Sequence, residues 1–70
     1  MFFMFRVGDK VVRHFYPNNK VYCSDGVVTE VDEQYVYCDV NVMGVTYKMV
    51  FKANGYGIDN HFEKIVKYDI

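Results

Sequence analysis

Few side chains in this sequence have the makings of covalent or acid–base chemistry. They are Cys23, the neighbouring and only serine Ser24, His14 upstream, and the adjacent carboxylates Asp32 and Glu33. Nucleophilic catalysis needs a nucleophile, a base and an orienting group around a pocket that excludes water. A Cys23–His14 pair supplies the first two. A chain of 70 residues has little concave volume in which to complete the set. Asp32 and Glu33 lie side by side on a turn, where side chains diverge, so they do not read as a paired acid and base. Gly55-x-Gly57 alone is too common a pattern to mark a phosphate cradle. Metal binding asks for more ligands at tighter spacing than Cys23, Cys38, His14 and His61 offer. Cys38 alternates with Val36 and Val40 and reads as a small buried hydrophobe. The residues therefore point away from an enzyme, and no cofactor is expected.

Recognition residues are better represented. The seven tyrosines include Tyr16, Tyr22, Tyr35, Tyr37 and Tyr56, which fall in turns or on the face opposite a valine stripe. A tyrosine offers a large amphipathic ring at low entropic cost. With Arg13, His14 and Lys20, such rings can stack on bases and grip phosphates. They can equally clasp a protein loop, or Tyr35 and Tyr37 can simply cover the open side of a thin sheet. The net charge of −1 lacks the basic footprint of a nucleic-acid binder. Its distribution is uneven, with Arg6, Lys10, Arg13 and Lys20 early in the chain. Asp25, Glu30, Asp32, Glu33 and Asp39 follow with no base among them. That asymmetry can orient a partner or can reflect two solvated faces. Asp32 and Glu33 join the candidate partner contacts on this ground.

The elements that must position these residues read as strands. Leu is absent and Ala53 is the only alanine, while Val, Tyr and Phe abound. Phe3, Phe5 and Val7 alternate, which suggests a first strand, or else an exposed apolar end seeking a partner. Met1 to Phe5 is far short of the roughly 20 residues that span a bilayer. After Gly8-Asp9, a strand begins over Lys10 to Arg13. His14 to Asp25 reads as a long loop around Pro17-Asn18-Asn19 and as a candidate functional surface. Gly26 to Val31 reads as a strand with a bulge, because Val28 and Val31 are three apart. A turn over Asp32 to Gln34 leads to the clearest strand, with Val36, Cys38, Val40 and Val42 on one face. Met43-Gly44 then forms a tight hairpin. The next strand places Val45, Tyr47, Met49 and Phe51 together, and this hairpin is expected at the centre of the sheet. Ala53 to Asn60 is irregular. His61 to Tyr68 fits a closing strand better than a helix, because β-branched residues cluster at its end.

Phe5-x-Val7-Gly8-Asp9-x-Val11, then Gly26-x-Val28-x-x-Val31, then Val36-x-Cys38-x-Val40, resembles an SH3-like barrel of the KOW and Tudor type. The resemblance covers about residues 5 to 52. It implies an all-β fold, a single small SH3-like barrel of about five antiparallel strands over residues 1–70, and a sharp bend in the Gly-x-Val-x-x-Val strand. The sequence lacks the Lys-Gly pair of the KOW pattern and has a longer segment before Gly26. Such barrels serve RNA, DNA, methylated side chains and proteins alike. In style the chain is also similar to short accessory proteins of bacteriophages, which bind and inhibit host enzymes or defence factors.

The leading expectation is a non-enzymatic protein-binding module, an inhibitor or adaptor acting by occlusion on a host defence or nucleic-acid-processing protein. The alternative is a nucleic-acid-binding barrel using the basic and tyrosine residues of the 13–25 segment. Weak self-association through the apolar N-terminal strand is a third reading. Nothing at the N-terminus reads as a secretory signal, so a reducing cytoplasm (the host's, if phage-encoded) is expected and no membrane partner.

Overall fold

A computed structural model describes residues 3–68. Five strands follow in order: β1 (Lys10–Phe15), β2 (Tyr22–Val31), β3 (Tyr35–Val42), β4 (Val45–Lys52) and β5 (Glu63–Lys67). They form one antiparallel sheet in the order β4-β3-β2-β1-β5. A single 3₁₀ turn, Pro17–Asn19, joins β1 to β2. Among the described residues no helix is long and apolar enough to cross a membrane.

Period-2 alternation builds the core. Val36, Cys38 and Val40 of β3 are buried together with Val11, Val28, Phe51, Ile65 and Phe5. The bulge expected in β2 is present, with the register to β3 shifting between Val28 and Glu30. It keeps Val28 fully inside and Val31 packed against the same cluster. The final segment is a strand, paired to β1 from Val11↔Lys67 to Phe15↔Glu63. Lys52 N–H donates to Tyr56 O at 2.9 Å, and Ile65 N–H donates to Gly55 O at 2.8 Å. These bonds connect the end of β4 back toward β5. Gly55 makes the approach feasible, since a Cβ there would lie 2.8 Å from Ile65 O and 3.1 Å from the Phe5 ring.

Three expectations are corrected. Residues 3–7 form no strand. Asp9 N–H donates to Arg6 O and Arg6 N–H to the Asp9 carboxylate, so the chain turns here. Phe5 alone is drawn into the core, beneath the Lys67 ammonium, while Phe3, Met4 and Val7 stay exposed. The first strand expected here is therefore not formed among the described residues; Met1 and Phe2 lie outside them. The supposed loop from His14 to Asp25 is mostly strand, because β1 and β2 pair from Lys10↔Val27 to Phe15↔Tyr22. Only Tyr16 to Val21 connects them. Last, β3 and β4 are not the centre of the sheet: β4 is an edge and β2 is the middle strand. On β4, Phe51 is buried and Met49 packs on the core, but Val45 and Tyr47 are exposed on the same face.

Phe51 is the largest fully buried side chain. Phe51→Ala should cost about 3–5 kcal/mol, comparable with the whole stability of a domain this small. A urea melt followed by circular dichroism should show a largely unfolded variant. A loss below about 1 kcal/mol would mean the core is not built around this ring.

Candidate functional site

The β1–β2 and β3–β4 turns lie at the same end of the sheet, because β1 and β3 run in one direction. The β2–β3 turn lies at the other end. This arrangement divides the candidate residues into two groups.

At the first end, β2 and β3 part company. Their register begins only at Gly26↔Val40, so Tyr22 to Asp25 have β1 on one side and no strand on the other. An open cleft of about 900 Å³ occupies the gap. Arg13, Phe15 and Tyr22 form one wall, Val42 and Met43 the other, and Pro17 and Val21 the rim. Arg13 is held by two contacts, and its carboxylate partner by a third. Its Nε donates to Glu63 Oε1 at 2.6 Å, its guanidinium carbon stands 4.7 Å from the Phe15 ring centroid, and Glu63 Oε2 accepts from Asn60 at 3.2 Å. With Arg13 14% and Glu63 16% exposed, the pair is largely withdrawn from solvent. Each partner satisfies the other, so Arg13 brings little net charge to the cleft it lines. Tyr22 packs against Phe15 with ring centroids 6.4 Å apart.

The turn above this cleft breaks a local rule. Met43 and Gly44 both have positive φ, 53° and 85°, as a two-residue type I′ hairpin requires. Asn-Gly or Asp-Gly normally supplies that geometry, whereas a methionine in the left-handed region is sterically disfavoured. Met43 is nonetheless 98% exposed, gaining no burial in return. Val21, 64% exposed, stands across the cleft.

His14 alternates away from Arg13 and lies on the outer face, directly opposite Cys23. The Cys23 Sγ and His14 Nδ1 are 3.7 Å apart, so the pair foreseen from sequence is made. Among the described residues no side chain orients the far side of the ring, and no group of three metal-ligating residues exists. Tyr16 and Lys20 flank the 3₁₀ turn. The Tyr16 backbone N–H donates to Phe62 O at 2.8 Å, and Lys20 is exposed.

The second group occupies the other end. Asp32 Oδ1 accepts backbone N–H bonds from Gln34 at 2.8 Å and Tyr35 at 2.7 Å, which fixes the turn. Those bonds hold its carboxyl below the ordinary range. The Tyr37 hydroxyl reaches Asp32 Oδ2 at 3.4 Å and Tyr35 meets Tyr37 edge-on at 6.4 Å. Desolvation first, then the Asp32 and Glu30 charges, pushes the Tyr37 hydroxyl up. Glu33 stands exposed at the tip. The nine candidates thus do not form one surface: Arg13 and Tyr22 share the cleft, His14, Tyr16 and Lys20 surround it, and Asp32, Glu33, Tyr35 and Tyr37 are remote. Phe15, Glu63 and Met43 were missed. Phe15 was detectable as the next member of the Val11, Arg13 alternation, but no local signal links Glu63 to Arg13. No family model matches this sequence, and no curated protein or solved structure matches it either.

The two thiols should behave differently. Cys23 is exposed and Cys38 buried, so a thiol reagent at neutral pH should label one cysteine in the native chain and both after unfolding. Burial, then the Asp39 charge, pushes the Cys38 thiol from about 9 up to about 11. An acid whose pKa is raised by folding stabilises the native state fully below its unfolded value and loses that contribution as pH rises. Stability should therefore fall between about pH 8.5 and 11 by about 2–3 kcal/mol. Cys38→Ala should be less stable at pH 7 but lose less over that range; an identical alkaline loss would assign it to other groups.

Proposed function

We propose that this chain is a non-enzymatic protein-binding module, an inhibitor or adaptor that acts by occluding its partner, and that the cleft between the two hairpins is its contact surface. Met43 carries this reading. A large apolar side chain at positive φ destabilises its own hairpin, and no packing compensates for it within the chain. Local strain without local benefit is characteristic of contact residues. The apolar lining from Phe15, Pro17, Val21 and Val42 supports a protein partner, since recognition patches centre on apolar and aromatic anchors. The short phage accessory proteins to which the sequence is similar in style act by such occlusion.

The SH3-like barrel reading draws support from the strand order, the bulge in the long β2 and the bonds joining residues 52 and 56 and residues 55 and 65. The nucleic-acid alternative draws less, because Arg13, one of its basic contacts, is already engaged by Glu63.

Met43→Asn separates stability from binding. Asn tolerates the left-handed region, so the variant should be about 0.5–1 kcal/mol more stable than the parent. Affinity capture from a bacterial lysate should recover a stoichiometric protein with the parent and lose it with the variant. Equal recovery by both, or nucleic acid alone, overturns the reading.

A further inference from the structure

The backbone at the mouth of the cleft indicates how a partner is held. Val28 N–H donates to Asp9 O and Val28 O accepts from Gly8 N–H. Val28 therefore directs both polar groups toward the β1 side. Backbone groups alternate sides along a strand. Residues 22, 24 and 26 consequently face β1, whereas 23, 25 and 27 face β3. Val27 meets Asp39 in the β2–β3 ladder. The next rung would join Asp25 to Asn41, and it is left incomplete. Gly26 faces β1, so its pairing with Val40 rests on flanking bonds that include Asn41 N–H to Asp25 O, and the register ends there. Beyond that point the Asn41 side chain accepts from Gly44 N–H at 3.0 Å, within its own hairpin. Both backbone groups of Cys23 and the N–H of Asp25 thus point into the cleft with no strand to receive them. A row of unpaired strand groups is a template for another chain.

The side chains around this edge add a pattern. On the inner side lie Phe15, Tyr22 and Val42. On the outer side Asp25 and Asp39 flank a shallow depression of about 370 Å³. The nearby cation Lys48 is mostly solvated, with Nζ 4.0 Å from Asp39 Oδ1. That Oδ1 is buried and receives no hydrogen bond among the described residues. The outer side therefore offers a buried carboxylate oxygen that no hydrogen bond satisfies among the described residues, with only a long, solvated lysine contact to it.

Resting on the protein-binding reading above, we propose that the cleft receives an extended strand of the partner, antiparallel to β2, in the position that β3 vacates beyond Val40. The added strand bonds to the backbone of Cys23 and Asp25. It turns apolar side chains inward onto Phe15, Tyr22 and Val42, and a Lys or Arg outward toward Asp25 and Asp39. Main-chain pairing supplies affinity, and the alternate side chains supply selectivity.

The test uses a display library of heptapeptides with apolar residues at alternate positions and Lys or Arg between them. A second library has the same composition with the apolar residues adjacent. The first should yield binders and the second should not. In amide hydrogen exchange on the bound chain, Cys23 and Asp25 should slow at least tenfold, while Ser24 changes little. Cys23→Pro removes one donor aimed into the cleft and leaves the β1–β2 ladder intact. It should weaken binding at least tenfold, with Cys23→Ser unchanged. Binders from the first library that protect neither amide, or equal yields from both libraries, overturn the strand mode. If such binders still fail with Met43→Asn, the cleft stands as a contact surface. If they ignore that substitution as well, the protein-binding reading of the cleft falls with them.

Discussion

The fold depends on one strand serving two ladders that are out of step. β2 pairs with β1 over Tyr22 to Val27 and with β3 over Gly26 to Val31. Only Gly26 and Val27 pair on both sides. This offset, with the bulge after Val28, lets β2 turn from one half of the sheet to the other. A straight β2 paired along its full length to both neighbours would leave Val11 and Ile65 far from Phe51. Here all three share one core. The same offset leaves Tyr22 to Asp25 without a second neighbour, so the device that gathers the core also opens the cleft.

A small chain has limited apolar surface to distribute, and this one concentrates it. Among the described residues, eight buried side chains form one cluster, with β3 contributing three of them. At the cleft end, the β1 position in line with Val11 is occupied by Arg13. Placing a guanidinium there is tolerable because Glu63 meets it at 2.6 Å and Asn60 takes the second carboxylate oxygen. Removing either charge would leave the other withdrawn from water without a partner. The pair therefore acts as a polar floor that marks where the core stops. Beyond it Val45 and Tyr47, though on the core-facing side of β4, remain exposed.

Much of this was legible from residue order, and the exceptions have physical causes. The strands over Tyr35–Val42 and Val45–Lys52, the bulge and the closing strand all follow from period-2 spacing and short-range turn chemistry. The N-terminal alternation misleads because Gly8 and Asp9 close a turn that carries Phe5 inward alone. The segment from His14 to Asp25 looks like a loop because Pro17-Asn18-Asn19 is a strong turn signal, but the turn is confined to the middle of it. Its two ends pair with each other, His14 with Cys23 and Phe15 with Tyr22. Arg13–Glu63 spans fifty residues, and no periodicity encodes such a contact. The cleft itself is an absence of pairing, which depends on where two registers begin and leaves no composition signal.

The two ends of the sheet show why exposed aromatics alone are a poor guide to function. Tyr35, Tyr37 and Asp32 looked like recognition residues, yet each has a local explanation. Asp32 satisfies two backbone donors of its turn, Tyr37 reaches its second oxygen, and the two rings pack edge to edge. Such a cluster would be retained for the turn even if nothing bound there. Met43 presents the opposite case. Its backbone conformation is unfavourable for its side chain, its side chain touches solvent, and the turn it occupies would be better served by Asn. A residue that works against its own hairpin, beside strand groups left unpaired, has no such local explanation.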